Sequence, residues 1–280
     1  MIAAPDLLVV GGLAVDRLAD GSLVAGGSVL HAARAAAAAG RRIATITVAG
    51  PEPEAAAAVA ELAEMGPGLV WPASGSIRYA IRDSGGRRRL VLEAVGAALP
   101  VTEAEVDAMR PRAVLLAPVA GELSRDAVTA CRAVPVRVAA LQGWLRSLVP
   151  GEVVRALPLV GLAADLPAAL GDLDALVASE EDLAAVAEGP IAQLDVLRRH
   201  FGTRPLLAIT FGAGGAWLDD ASLGRRHLPA GRRLAGISTI GAGDAFAALL
   251  AVELGAGLER ASAVAAAISS TTDLLAARSA

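Results

Sequence analysis

The chain has 280 residues, 55% of them hydrophobic and only 2% aromatic, with a formal net charge of −4. That is enough apolar material for one large α/β domain whose core is filled by aliphatic side chains, and the slightly acidic balance lacks the basic footprint of a nucleic-acid-binding protein. Cys131 is the only cysteine, which excludes an intrachain disulfide.

Several further absences bear on where the chain works. A single thiol suits a reducing cytoplasm. No basic segment followed by an apolar stretch opens the sequence, as a signal peptide requires, and no uncharged apolar run approaches the ~18 residues of a membrane span. A cytoplasmic protein without membrane or nucleic-acid partners is therefore expected. Lys and Asn are both absent, so every fixed cation is an arginine.

Taken in chain order, Asp6 to Gly11 reads as a buried strand that ends at Gly11-Gly12. Gly26-Gly27-Ser28 precedes an Ala-rich helix over Val29–Ala39, stopped by Gly40. Arg42–Ala49 reads as a strand and Pro53–Met65 as a helix. This β-α-β-α order predicts a mostly parallel sheet with helices on its faces. Between Leu69 and Leu92 the rhythm changes. Ser76–Arg82 and Arg88–Leu92 are strand-like and flank Asp83-Ser84-Gly85-Gly86, a hairpin turn, so an antiparallel lid is expected there. The run Arg87-Arg88-Arg89 reads as the solvated end of that hairpin.

The α/β rhythm then resumes. Strands are expected over Ala113–Ala117, Val136–Leu141, Ala175–Ala178 and Leu206–Thr210. Helices are expected over Thr102–Met109, Ser124–Ala133, Glu180–Ala187 and Ile191–Phe201. Ala216–Asp219 and Arg225–Leu228 read as a late hairpin, and helices over Asp244–Leu254 and Leu258–Ala276 close the chain. No repeat and no long linker divides it, so residues 1–280 read as one domain.

The segment Ile240-Gly241-Ala242-Gly243-Asp244-Ala245-Phe246 carries the strongest chemical signal. Two glycines before a helix permit close approach of a ligand to the backbone, and the free N–H groups of a helix N-terminus favour anions. A carboxylate in that first turn stays ionised and accepts a proton from an alcohol as a general base. Phosphoryl transfer needs this combination of positioning and charge stabilisation. On spacing alone, Asp244 reads equally well as an ordinary acid in the first turn of a helix. There is no P-loop motif, and Gly11-Gly12 lacks the spacing of a dinucleotide fingerprint.

Thr239 to Phe246 resembles the second signature of the ribokinase family, the PfkB-type carbohydrate kinases. Gly26-Gly27 before a helix resembles the first signature, Gly11 to Asp16 the opening strand with its substrate-binding acid, and Ser76 to Leu99 the lid. Thr210-Phe211-Gly212-Ala213-Gly214-Gly215 resembles the nucleotide-side turn. These matches occur in order along nearly the whole chain. The resemblance implies a ribokinase-like three-layer α/β/α sandwich with a mostly parallel central sheet and a small β lid, its strands at about 14–26 and 69–99. It implies an ATP-dependent kinase acting on a hydroxyl of a sugar, polyol or cyclitol. Asp244 would be the base, and the backbone of Gly241, Ala242 and Gly243 the anion hole. Asp16, Gly26, Gly27 and His31 would serve the substrate. Thr210, Gly212 and Gly215 would lie by the nucleotide, and Mg2+ would accompany ATP. A homodimer through the lid is compatible with it.

Some positions depart from the family pattern. The first signature reads Gly26-Gly27-Ser28-Val29-Leu30-His31. Its usual Asn position is His31, a substrate contact or a packed helix-face histidine. The Asn-x-x-Glu motif associated with magnesium reads Ser179-Glu180-Glu181-Asp182, with Asp182 as an indirect metal contact through water or as part of a plain capping sequence. The Asp common before the glycine motif is Ser238. Val119–Leu123 and Leu141–Arg146 resemble inositol-kinase-type members, which adds Gln142 and Arg146 as substrate contacts. The alternatives are a nucleoside kinase of the same fold, or a non-catalytic sugar- or nucleotide-binding relative.

Overall fold

A computed structural model describes residues 4–84, 87–232 and 238–278. The first half of the chain forms β1 (Leu7–Val10), β2 (Ala14–Arg17), β3 (Leu23–Gly26), α1 (Ser28–Ala38), β4 (Ile43–Ala49), α2 (Pro53–Met65), β5 (Gly68–Pro72), β6 (Arg78–Ser84), β7 (Arg87–Ala94), α3 (Glu103–Met109), β8 (Ala113–Leu116), α4 (Arg125–Ala130) and β9 (Val136–Ala140). The second half forms α5 (Leu166–Gly171), β10 (Ala175–Ser179), α6 (Pro190–Phe201), β11 (Leu206–Thr210), β12 (Ala216–Asp220), β13 (Gly224–Leu228), α7 (Ala242–Gly255) and α8 (Arg260–Ala277).

A nine-stranded sheet runs β13-β12-β11-β10-β9-β8-β1-β4-β5. From β11 to β5 every neighbouring pair is parallel, while β12 and β13 add an antiparallel edge. β1, β4 and β8 are buried along their whole length, as continuous apolar runs covered on both faces must be. Alternate residues of β1 show why. Leu7 and Val9 pack with α1, α2, α7 and α8, whereas Leu8 and Val10 pack with α3, α4, α5 and α6. The result is the three-layer α/β/α sandwich.

Local chemistry sets the helix ends. Pro53 opens α2 at a position where its missing N–H costs nothing. Thr102 and Glu105 form a reciprocal capping box on α3, and the Ser124 side chain accepts from Ala127 N to start α4. A bidentate pair from Arg34 to Glu61, both contacts 2.6 Å, ties α1 to α2.

A second, four-stranded sheet, β3-β2-β6-β7, forms the lid. Its apolar face, with Ala14, Ile77, Tyr79 and Leu92, packs on Val119 and Ala120. The expected lid span 69–99 needs correction at its start. β5 pairs in parallel with β4 and belongs to the large sheet. The expected turn residues Gly85 and Gly86 lie outside the described residues. A second correction concerns Glu180–Ala187, which forms turns rather than a helix. The Ser179 hydroxyl and the Asp182 carboxylate bond each other's backbone N–H, and Gln193 Nε2 donates to the carbonyls of Glu180 and Ala187. These side-chain bonds give the backbone partners that compete with a helix.

Candidate active site

The site lies along the carboxyl ends of the parallel strands, where an open α/β sheet forms its crevice. α7 enters from above. Gly241 is its N-cap with φ 74°, a left-handed conformation that glycine adopts without steric cost. Gly241 O accepts Ala245 N and Thr239 O accepts Ala242 N, while the remaining first-turn amides have no partner within the helix. A methyl group on Gly241 would lie 2.6 Å from His31 Cγ, so the glycine is needed for approach as well as for conformation. Asp244 sits in this first turn and is 9% exposed.

On one side of Asp244 the structure gathers the residues expected for substrate. Gln142 Nε2 donates to Asp244 Oδ1 at 3.3 Å and to Ser28 Oγ at 2.8 Å. Arg146 donates to Gln142 Oε1 at 3.1 Å. Asp16 Oδ2 lies 2.9 Å from where a Gly26 Cβ would stand, and His31 Nε2 lies 4.0 Å from the same point. A Gly27 side chain would strike Gly12 O at 2.6 Å. Thus Asp16, Gly26, His31, Gln142, Arg146 and Asp244 share one region, and Gly27 is required by the close passage of α1 past the end of β1.

On the other side a cavity of about 450 Å³ is lined by Thr210, Gly212, Gly215, Thr239, Ala242 and Gly243, with Phe246, Ile268 and Leu275 on its apolar wall. The nucleotide-side turn and the glycine motif therefore face one space. Gly212 and Gly215 have φ of 58° and 92°, and a Gly215 side chain would meet Leu228 O at 2.2 Å. Ser179 and Glu181 reach this cavity, but Asp182 does not. It lies behind Ser179, whose hydroxyl donates to Asp182 Oδ2 at 2.6 Å, and lines a separate recess with Arg146. Ser238 is exposed, and its hydroxyl accepts Ile240 N.

No curated protein matches the chain in sequence. Residues 151–272 match the pfkB family carbohydrate kinases, a span that includes Ser179, Thr210 and Gly241 to Asp244. Among solved structures, a pyrophosphate-dependent kinase in the ribokinase family, complexed with a pyrophosphate analog and myo-inositol, superposes with a TM-score of 0.76 at 18% identity, covering 96% of this chain and 95% of that one. Arabidopsis thaliana ribokinase, complexed with ribose and ATP, gives 0.73 at 15% identity, covering 98% and 93%. Ribokinase from Thermotoga maritima gives 0.69 at 17% identity, covering 96% and 91%.

The chain has the ribokinase fold. Together with the pfkB match over residues 151–272 this bears out the resemblance read from Thr239 to Phe246.

Within the ribokinase fold, the buried Glu122 and the half-buried Glu52 escaped the sequence reading. Glu122, 4% exposed, accepts the N–H groups of Gly12, Val119 and Ala120 at 2.7–3.1 Å. It joins the loops after β1 and β8. Only the resemblance of Val119–Leu123 drew attention to this loop. Glu52 accepts Ser76 N and Oγ and pairs with Arg78, fixing the entry to β6. Burial raises its carboxyl, but the bonds from Ser76 and the charge of Arg78 outweigh that and leave it below the usual range.

Proposed function

We propose that the protein is an ATP-dependent kinase that phosphorylates a hydroxyl of a sugar, polyol or cyclitol. The observation that carries this reading is the placement of Asp244. It stands between a hydrogen-bonding acceptor region around Gln142 and a donor cavity lined by the adjoining Ala242 and Gly243.

In this reading Asp244 takes the proton of the acceptor hydroxyl as that oxygen attacks the terminal phosphorus of the donor. The backbone from Gly241 to Gly243 at the head of α7 receives the negative charge on the transferred group. Gln142 holds the Asp244 carboxylate in place. Asp16, His31 and the backbone at Gly26 and Gly27 orient the hydroxylated ring. Thr210, Gly212 and Gly215 border the donor, with room for a base against Phe246, Ile268 and Leu275. The β2–β3–β6–β7 lid excludes water, which limits wasteful hydrolysis.

Magnesium is held mostly by water and donor phosphates with one or two carboxylates. Glu181, which borders the cavity, and Asp182 behind Ser179 would serve in that mode. Asp182 Oδ2 is taken by Ser179, which leaves Oδ1 for a water-mediated contact. The ion would neutralise phosphate charge.

The myo-inositol and ribose carried by the two structural neighbours set the first acceptors to try. The test is a product-release screen over cyclitols, sugars and nucleosides, with ATP and pyrophosphate as donors, and Asp244→Asn alongside. Turnover is expected with a hydroxylated acceptor and should fall by about 10²–10⁴ in that variant. Full turnover in Asp244→Asn would remove the assigned base. Ligand binding without turnover for every pair would favour a non-catalytic relative.

A further inference from the structure

The reaction above gives Arg146 no role. Arg146 donates to two neutral oxygens, Gln142 Oε1 at 3.1 Å and Val119 O at 3.5 Å, and lies 6.0 Å from the centroid of the Tyr79 ring. Among the described residues it pairs with no carboxylate, whereas the nearby arginines of the lid do: Arg17 with Glu93 and Arg78 with Glu52. Tyr79 supplies no counter-charge. Its hydroxyl donates to Val119 O, and burial pushes its pKa up. A guanidinium keeps its charge at any working pH, so a half-buried one with neutral partners favours an incoming anion.

Two more arginines face the same place. A recess of about 210 Å³ is lined by Arg89, Arg146 and Arg155 together with Glu181 and Asp182. The convergence is built by the backbone. Residues 153–156 are stitched between β7 and the segment after β9. Val154 N donates to Leu90 O and Ser147 N donates to Arg155 O, and Val91 and Arg146 bridge Val153 and Ala156 respectively. Neither Arg89 nor Arg155 forms an ion pair among the described residues. Asp182 Oδ2 is engaged by Ser179, and the three arginines outnumber the two carboxylates of the lining.

We infer that this recess binds a phosphate group of the acceptor, so that the preferred substrate is a sugar or cyclitol monophosphate rather than the neutral polyol. The inference rests on the kinase reading above. A single carboxamide, that of Gln142, spans Asp244 and Arg146. A small ring with its hydroxyl at Asp244 therefore reaches Arg146 with a substituent on another carbon. Arginine forks match phosphate oxygens in bidentate fashion. A donor phosphate is the other source of the same chemistry. Glu181 borders both the recess and the donor cavity, so the response of the donor KM and the acceptor KM to the arginine substitutions separates the two sources.

The experiment compares myo-inositol with myo-inositol monophosphates, and ribose with ribose 5-phosphate, on the full chain and on an Arg89→Ala/Arg155→Ala double variant. Steady-state rates are measured with ATP and with pyrophosphate, and binding is followed by calorimetry. The phosphorylated member of a pair is expected to give the higher kcat/KM. The double variant should raise its KM by on the order of tenfold and weaken its calorimetric Kd similarly, with a smaller change for the neutral polyol. Preference for the neutral polyol, with no response to the arginine substitutions, would overturn the inference and leave the kinase reading standing. A raised KM for ATP or pyrophosphate in place of the acceptor would assign the recess to the donor and also overturn it. Arginine-dependent binding of the monophosphates without turnover would keep the site and remove the kinase reading.

Discussion

The carboxamide of Gln142 donates to Asp244 at 3.3 Å and to Ser28 at 2.8 Å. The longer bond goes to the charged group, because the amide is shared between the head of α1 and the head of α7. Replacing Gln142 with Leu keeps the bulk and removes that link. A loss of about tenfold in kcat/KM is expected, the worth of roughly one hydrogen bond to a charged group. Steady-state kinetics beside a melting curve check it. An unchanged kcat/KM with an unchanged melting temperature would mean that Asp244 is positioned by its helix alone.

Gly241→Ala brings two penalties together. The left-handed φ of 74° costs an L-residue about 1–2 kcal/mol, and the methyl would press on the His31 ring at 2.6 Å. Lower stability is expected together with loss of activity, since relief requires either α1 or the first turn of α7 to move. Denaturant unfolding and an activity assay read the two effects separately. Normal activity in a destabilised protein would show that the turn tolerates displacement.

Glu122→Ala strips three buried N–H groups of their acceptor. Each unmet group costs about 1–3 kcal/mol, so a loss of about 3 kcal/mol or more is expected in urea unfolding, with amide exchange rising first at Gly12, Val119 and Ala120. A loss below ~1 kcal/mol would mean that water replaces the carboxylate.

Asp220 makes an acid-side prediction. Burial raises its carboxyl, but bonds from Ser222 and Leu223 and the Arg260 guanidinium outweigh that and hold it at about 2. A depressed carboxyl stabilises the fold above its unfolded value of 3.8 and loses that contribution as the pH falls towards about 2. The difference corresponds to about 2 kcal/mol. Wild-type stability should therefore fall between these pH values by that amount more than the stability of Asp220→Asn. Parallel acid profiles would discard the assignment.

Where the sequence spoke through local periodicity it was legible nearly to the residue. Pro53–Met65 and Leu206–Thr210 have the expected bounds. Each has a clear stop: Gly66 after α2, and the glycine turn at Gly212 to Gly215 after β11. β5 was misplaced because Gly68 to Pro72 has alternate residues exposed, as an edge strand does, and a glycine and a proline at its ends. That pattern says strand without saying which sheet. The Glu180–Ala187 error has another origin. Ser followed by acids reads as a helix start, but Gln193 holds two of the carbonyls from outside the segment.

The site divides along the same line. Gly241 to Asp244 and Thr210 to Gly215 are contiguous motifs and could be read directly. Glu122 bonds Gly12 across 110 residues, and Gln142 bonds Asp244 across 102. Such contacts follow from the order of strands in the sheet, so no local pattern announces them. The arginine recess is hidden for the same reason, since Arg89, Arg146 and Arg155 meet only after residues 153–156 are laid against β7.

The scarcity of aromatic residues has a consequence at this site. α7 lies between α1 and α8 through Ala247, Ala248 and Ala251, all fully buried, against Ala32, Ala33, Ala36, Ala263 and Ala267. Small side chains at these positions let the helix axes approach closely and leave little free volume to take up a change. α7 therefore acts as a stiff lever with Asp244 at its tip. A single added methylene near its middle would be transmitted along the axis rather than absorbed. Variants far from any ligand, with an intact fold, would tilt the carboxylate away from the hydroxyl it serves.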